Sequence, residues 1–172
     1  IDMFGVGERM ITAKSEPVFG GVYKLTAVEN EQGEIIPKIK CSENVEKITI
    51  PHFKKVYRLY NKENGKAIAD YMTVYDEVVD ENEPMMLFDP YATWKTKNVC
   101  NYQARELLVP VFLKGKRVYE SPALKDIQTY CKQQVDTLWD EIKRFDNPQT
   151  YYVDLSQKLW DIQQELLRKN RN

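Results

Sequence analysis

Gly5 and Gly7, one residue apart in Asp2-Met3-Phe4-Gly5-Val6-Gly7-Glu8, form the pattern in this chain best suited to chemistry. Glycines carry no Cβ, so the main chain turns sharply there and a ligand can come close to it. Successive amide N–H groups in such a turn, or at a helix start behind it, make a cradle for a phosphate group. The same turn can also do no more than bend the chain, and the pattern alone leaves both readings open. A second candidate for anion binding is the basic turn Lys114-Gly115-Lys116-Arg117, although exposed basic hairpin tips are common.

Other chemistries find little support. The single histidine, His52, lies in the turn-like Ile50-Pro51-His52-Phe53 and reads as a loop residue. One histidine leaves no room for a His-based metal site or a Ser-His-Asp triad in this segment. Cys41, Cys100 and Cys131 are odd in number and widely spaced, which argues against a disulfide framework or a C-x-x-C metal site. The acidic stretch 76–84 (Asp76, Glu77, Asp80, Glu81, Glu83) lacks the Gly or Asn of a coordinating loop, so it reads as a solvated linker. Twenty-five Lys and Arg stand against 26 Asp and Glu, a net charge of −1, so no global basic excess points to nucleic acid. No apolar run has the length of a bilayer span, and no membrane partner is expected. The expected compartment is the cytoplasm.

The elements that must position the glycine turn follow from hydrophobic period and breakers. Residues 1–4 read as the end of a buried strand. A strand needs neighbours on both edges and none precedes this one, so the chain is expected to be the C-terminal part of a longer polypeptide. Residues 22–28 alternate as a strand, 37–40 are extended, and Ser42 is placed to cap one helical turn over 43–47. Residues 55–60 and 66–75 are strands joined by a five-residue loop ending in Asn64-Gly65, a strong hairpin signal. Their tyrosines (Tyr57, Tyr60, Tyr71, Tyr75) are expected to pack rather than react. Residues 85–94 show no clean period. Residues 106–113 read as a strand with Pro110 at an edge or bulge. Ser121-Pro122 should open a long helix reaching 146–148, its stripe running Leu124, Ile127, Cys131, Val135, Leu138, Ile142, Phe145. Asp154-Leu155-Ser156-Gln157 starts a second helix with a stripe of Leu155, Leu159, Ile162 and Leu166. The two should pack as a hairpin, with Trp139 and Trp160 in or beside the seam.

Several segments in register resemble a known family. Asp2 to Gly7, then Gly20-Gly21-Val22-Tyr23-Lys24-Leu25, then Lys38-Ile39-Lys40 with Ser42-Glu43, then residues 54–58, are similar to the C-terminal part of nicotinate phosphoribosyltransferases. So is the tail Pro148-Gln149 through Tyr152-Val153-Asp154-Leu155-Ser156. The resemblance implies an α+β chain: the end of a type II phosphoribosyltransferase α/β barrel, a β-rich region, then a C-terminal strand pair with a two-helix hairpin. In residues, 1–18 would hold the last barrel strand and phosphate-binding turn, 19–78 a β-rich domain shared with missing N-terminal sequence, and 79–172 the strand pair and helices. It implies an enzyme coupling nicotinate to phosphoribosyl pyrophosphate, giving nicotinate mononucleotide and pyrophosphate, with ATP and Mg2+ assisting. A nicotinamide-specific sister enzyme and a non-enzymatic interaction module are the alternatives. Gly5, Val6, Gly7 and Glu8 would then cradle the 5-phosphate through main-chain N–H groups. Many relatives have threonine at Glu8, and a carboxylate repels phosphate, so Glu8 would act through its main chain or touch a cation or arginine. Lys14 and Lys24 fall near positions where related enzymes hold phosphate or pyrophosphate, partly across a homodimer interface. The family's catalytic histidine lies upstream of Ile1, so the fragment alone is expected to bind no cofactor and to be inactive.

Overall fold

The computed structural model describes residues 2–3, 5–7 and 21–170. Its centre is the predicted hairpin, β3 (Lys54–Asn61) and β4 (Ala67–Val74). These pair antiparallel with Tyr57 opposite Tyr71 and Leu59 opposite Ala69. The connecting loop closes as its residues forecast. The Asn61 side chain accepts from the amides of Glu63 and Asn64, and Gly65 takes a left-handed φ of 67°.

Two strands that the sequence reading did not find extend this hairpin into a four-stranded sheet of order β10-β4-β3-β7. β7 (Tyr102–Glu106) runs antiparallel to β3, and β10 (Val153–Leu155) runs parallel to β4. The expected blocks 19–78 and 79–172 therefore share one sheet. A second hairpin, β5 (Met85–Asp89) with β6 (Ala92–Val99), covers one face. There Leu87 and Val99 join Leu59, Ala69 and Tyr102 in a core cluster. On the other face α2 (Gln157–Lys169) packs Leu159 against Val74 and Leu155. This period-2 division of one sheet between two coverings explains why β4 shows no simple alternation: both its faces are covered.

Smaller elements complete the chain. β1 (Ala27–Glu29) and β2 (Ile35–Pro37) form a short hairpin, and β8 (Phe112–Leu113) and β9 (Lys116–Arg117) another. The latter turns through Lys114 and Gly115, both left-handed at φ 49° and 75°. Among the described residues the first strand starts at Ala27, not at Val22, and residues 2–3 and 5–7 lie in no strand. The turn at Val45–Lys47 is capped by Asn44, not Ser42; the Asn44 side chain accepts from the Glu46 amide.

The two helices do not form the expected hairpin. α1 (Leu124–Asp136) starts behind Ala123 without a side-chain cap and stops ten residues short of the expected end. Ser121 and Pro122 precede it rather than open it. Within α1 Leu124, Ile127 and Val135 are exposed, the expected stripe residues Leu138, Ile142 and Phe145 lie beyond its end, and the two helices share no packed seam. Each goes to the sheet separately. The Trp139 indole donates to the Ala67 carbonyl at 3.0 Å, while Trp160 donates to the Pro90 carbonyl and meets the Phe88 ring edge-on. Amphipathic period shows that a helix has a greasy side; it does not choose what covers it.

The acidic stretch is not a free linker. Glu77 accepts from the Val74 amide and the Ser156 hydroxyl, each at 2.7 Å. Glu81 accepts from the Ala104 amide and pairs with Lys62, and the buried Tyr102 hydroxyl donates to the Asp80 carbonyl. These carboxylates cap sheet amides that no strand reaches, which is why they sit among strands while reading as solvated.

Candidate functional site

The residues assigned to phosphate fall on or beside positions outside the described residues. Gly5, Val6 and Gly7 are exposed and belong to no strand or helix, as does Lys24. Glu8 and Lys14 lie outside the described residues. A Cβ placed on Gly5 or Gly7 would meet nothing within 4 Å, and neither glycine has a left-handed φ. Among the described residues nothing therefore crowds either glycine. The described members of this set share no hydrogen bond or ion pair with one another. The basic turn of Lys114, Lys116 and Arg117 is an exposed hairpin tip.

The described residues carry three polar assemblies. In the first, Arg58 sits directly across from Asp70 and binds it through Nε at 2.8 Å and a terminal nitrogen at 3.0 Å. The Tyr151 hydroxyl donates to the same carboxylate at 2.9 Å, and the guanidinium lies 5.7 Å from the Tyr151 ring centre. The hydrogen bond to Asp70 holds Arg58 charged, and burial with that same carboxylate pushes the Tyr151 hydroxyl upward. In the second, Lys54 donates to the carbonyls of Ile50, Pro51 and His52. Burial draws its ammonium down to about 8 against three carbonyls that favour the charge. His52 needs this clamp, since it is a non-glycine at φ 79°. It is an ordinary loop residue, with Nδ1 accepting from the Phe53 amide. In the third, Arg105 lies over the Tyr60 ring and donates to Gln134, tying the end of α1 to the sheet. Each assembly organises the scaffold, and none contains a nucleophile beside a base.

The tyrosines divide as packing residues. Tyr57 and Tyr71 back the first core cluster, Tyr60 reaches Gln134, and Tyr75 packs on Phe53 and His52. Burial, then the charge of Glu77, pushes Tyr71 up to about 12. A cavity of about 510 Å3 lies beside β6 and segment 139–152, with Lys97, Trp139 and Tyr151 in its wall. None of the phosphate residues lines it. Among the described residues no group of three or more His, Cys, Asp or Glu could hold a metal ion, and no helix is long and apolar enough to cross a membrane. Cys41, Cys100 and Cys131 are free thiols, all exposed.

One polar residue escaped the sequence reading. Asp154 looked like part of a helix cap, but Ser156 takes that role by accepting from the Leu159 amide, and Asp154 falls in β10, only 5% exposed. The signal was present in Val153-Asp154-Leu155, where period 2 sends Asp154 to the face opposite its neighbours.

This arrangement, a mixed sheet between a hairpin and a helix with strands from both ends of the segment, defines an α+β domain. The family model described as the nicotinate phosphoribosyltransferase C-terminal domain matches residues 53–163, from the start of β3 into α2. The chain belongs to the nicotinate phosphoribosyltransferase family. A nicotinate phosphoribosyltransferase of Bacillus subtilis is 42% identical over 160 residues, 93% of this chain and 32% of the relative. One from Caenorhabditis elegans is 33% identical over 172 residues, 99% of this chain and 30% of the relative. The crystal structure of human nicotinic acid phosphoribosyltransferase superposes with a TM-score of 0.63 at 23% identity, over 69% of this chain and 24% of that one, a likeness of fold. The chain thus spans about a third of the length of the curated relatives it matches.

Proposed function

We propose that the whole protein is a nicotinate phosphoribosyltransferase of NAD salvage and that this chain supplies its C-terminal domain. The 42% identity to a relative of that name, sustained over 93% of the chain, carries the reading. In this reaction the nicotinate ring nitrogen forms a bond to C1 of the ribosyl group as the C1–oxygen bond breaks, and pyrophosphate leaves with the electron pair. Charge grows on the leaving group, so positioned ammonium groups and main-chain N–H donors speed the step. Lys14 and Lys24 are proposed for the pyrophosphate, and the amides of Gly5, Val6, Gly7 and Glu8 for the 5-phosphate. The open space around Gly5 and Gly7 supports the latter, since nothing in the described chain obstructs an approaching anion. ATP and Mg2+ are proposed for the whole enzyme; the described residues offer no metal site of their own. A barrel supplied by the rest of the polypeptide, a homodimer sharing its sites and a cytoplasmic location complete the proposal.

The test is to supply the full-length polypeptide with nicotinate, phosphoribosyl pyrophosphate, ATP and magnesium and to follow nicotinate mononucleotide. Formation of the mononucleotide is expected, with nicotinate preferred over nicotinamide in direct competition. A full-length protein that makes none overturns the reading. Gly7→Val should lower turnover at least tenfold by filling the anion's path, whereas the isolated chain should bind neither substrate.

A further inference from the structure

A smaller cavity, about 190 Å3, lies between the four-stranded sheet and the β5–β6 hairpin. Asp154 enters it from β10 opposite Tyr71, which places its carboxyl on the face that meets the hairpin. Asp154 is 95% buried, and its Oδ1 has no hydrogen-bond partner among the described residues. Asp89 joins it in the wall, but Oδ1 of Asp89 is already occupied by the amides of Tyr91 and Ala92. Lys97 stands opposite Leu87 in the hairpin register, so it shares the inward face with Leu87, and Lys95 follows two residues before it. Both lysines line the cavity, yet neither forms an ion pair with Asp154 or Asp89. Ile68, Ala69 and Leu87 supply the apolar part of the wall.

A carboxylate this deep without a partner is costly, and a site that leaves one unmatched is complementary to a donor it does not contain. We propose that this cavity binds a small amino-acid zwitterion, its ammonium on Asp154 and Asp89, its carbon chain along Ile68 and Leu87, and its carboxylate toward Lys95 and Lys97. The volume is roughly six waters at about 30 Å3 each, which suits a ligand of similar heavy-atom count. The lysines decide the class: they attract a terminal carboxylate and repel a second ammonium, so a zwitterion outranks a simple amine and a diamine ranks last.

The experiment titrates glycine, 4-aminobutyrate and 6-aminohexanoate calorimetrically into the intact polypeptide, with n-butylammonium, butyrate and 1,4-diaminobutane as partners of single or repeated charge. At least one zwitterion should saturate, binding about tenfold tighter than any of the other three, since one matched charge contact is worth about that factor. Asp154→Asn should weaken it about tenfold or more, and the pair Lys95→Met, Lys97→Met should erase the preference over n-butylammonium. No saturation up to about 20 mM, equal binding of n-butylammonium, or undiminished binding by Asp154→Asn overturns the proposal. Should Asp154→Asn fail to fold, the lysine variant decides by the same preference.

Discussion

Single residues set the electrostatic character of the sheet. Arg58 and Asp70 are 21% and 13% exposed at their side chains, so their pairing is only weakly screened by water. Arg58→Ala leaves Asp70 with Tyr151 alone and should cost about 2–4 kcal/mol by chemical denaturation. Tyr151→Phe removes one neutral donor from an already paired carboxylate and should cost about 1 kcal/mol. Equal losses from the two would mean that the guanidinium is not the principal partner. Asp154 gives the pH dependence. Burial, then the charge of Asp89, raises it to about 6, with Tyr71 opposite it in the sheet and Lys95, Lys97 and Tyr152 lining the same cavity. The folded chain therefore holds a proton that the unfolded chain releases near pH 4, and stability falls as pH rises from about 4 to 6 and stays lower above that. Asp154→Asn should flatten this window and raise stability at pH 8 by about 2 kcal/mol, read as a melting-temperature difference between pH 5 and pH 8. The residue types of both sites are written in the chain; what it left unstated is that Asp154 faces inward, because its neighbour Ser156 is an equally good cap by composition.

At the scale of elements, the turns were the most legible. Asn64-Gly65 and Lys114-Gly115 carry the left-handed residues that tight hairpins require, and both hairpins close there. Gly65→Ala should cost about 1 kcal/mol, since the open space around it leaves only the φ of 67° to object. Helix α2 was legible too, because a capping-box-like start at 154–157 and a regular stripe coincide, although the cap is Ser156 and not Asp154. The Ser156 hydroxyl accepts from the Leu159 amide and donates to Glu77, while its amide donates to the Met72 carbonyl. Ser156→Ala should therefore cost more than an ordinary cap, about 2 kcal/mol, because it also leaves a Glu77 oxygen short of a donor. A loss no greater than that of an exposed cap would show that the Glu77 contact contributes little. The β5–β6 hairpin escaped the sequence reading because β5 buries the adjacent Leu87 and Phe88 on opposite faces, while β6 buries only its end residues Ala92 and Val99 and carries lysines on the face of Leu87. Period alone misreads such a strand, since long lysine stems can lie along apolar surface. Helix α1 failed the opposite way: its period was real, but nothing in the described chain covers its stripe.

The whole molecule depends on contacts between distant parts of the chain. β10 and α2 come from the last twenty residues, yet they complete an edge of the sheet and cover Val74. Truncation after residue 150 should expose that cluster together with the β4 edge and abolish cooperative unfolding, seen as loss of slow amide exchange in β3 and β4. Retained protection there would show that the β3–β4–β7 core stands alone. The amino-acid sequence by itself determined the central hairpin, its turn, the capped final helix and the family resemblance, because these rest on local backbone chemistry and on short segments in fixed register. The tertiary structure alone decided that β10 pairs parallel to β4, that acidic residues cap sheet amides, that the helices part company and that Asp154 loses its water. Such outcomes turn on which surfaces meet across long stretches of chain, and burial, unlike helical period or turn propensity, belongs to no residue until its neighbours arrive.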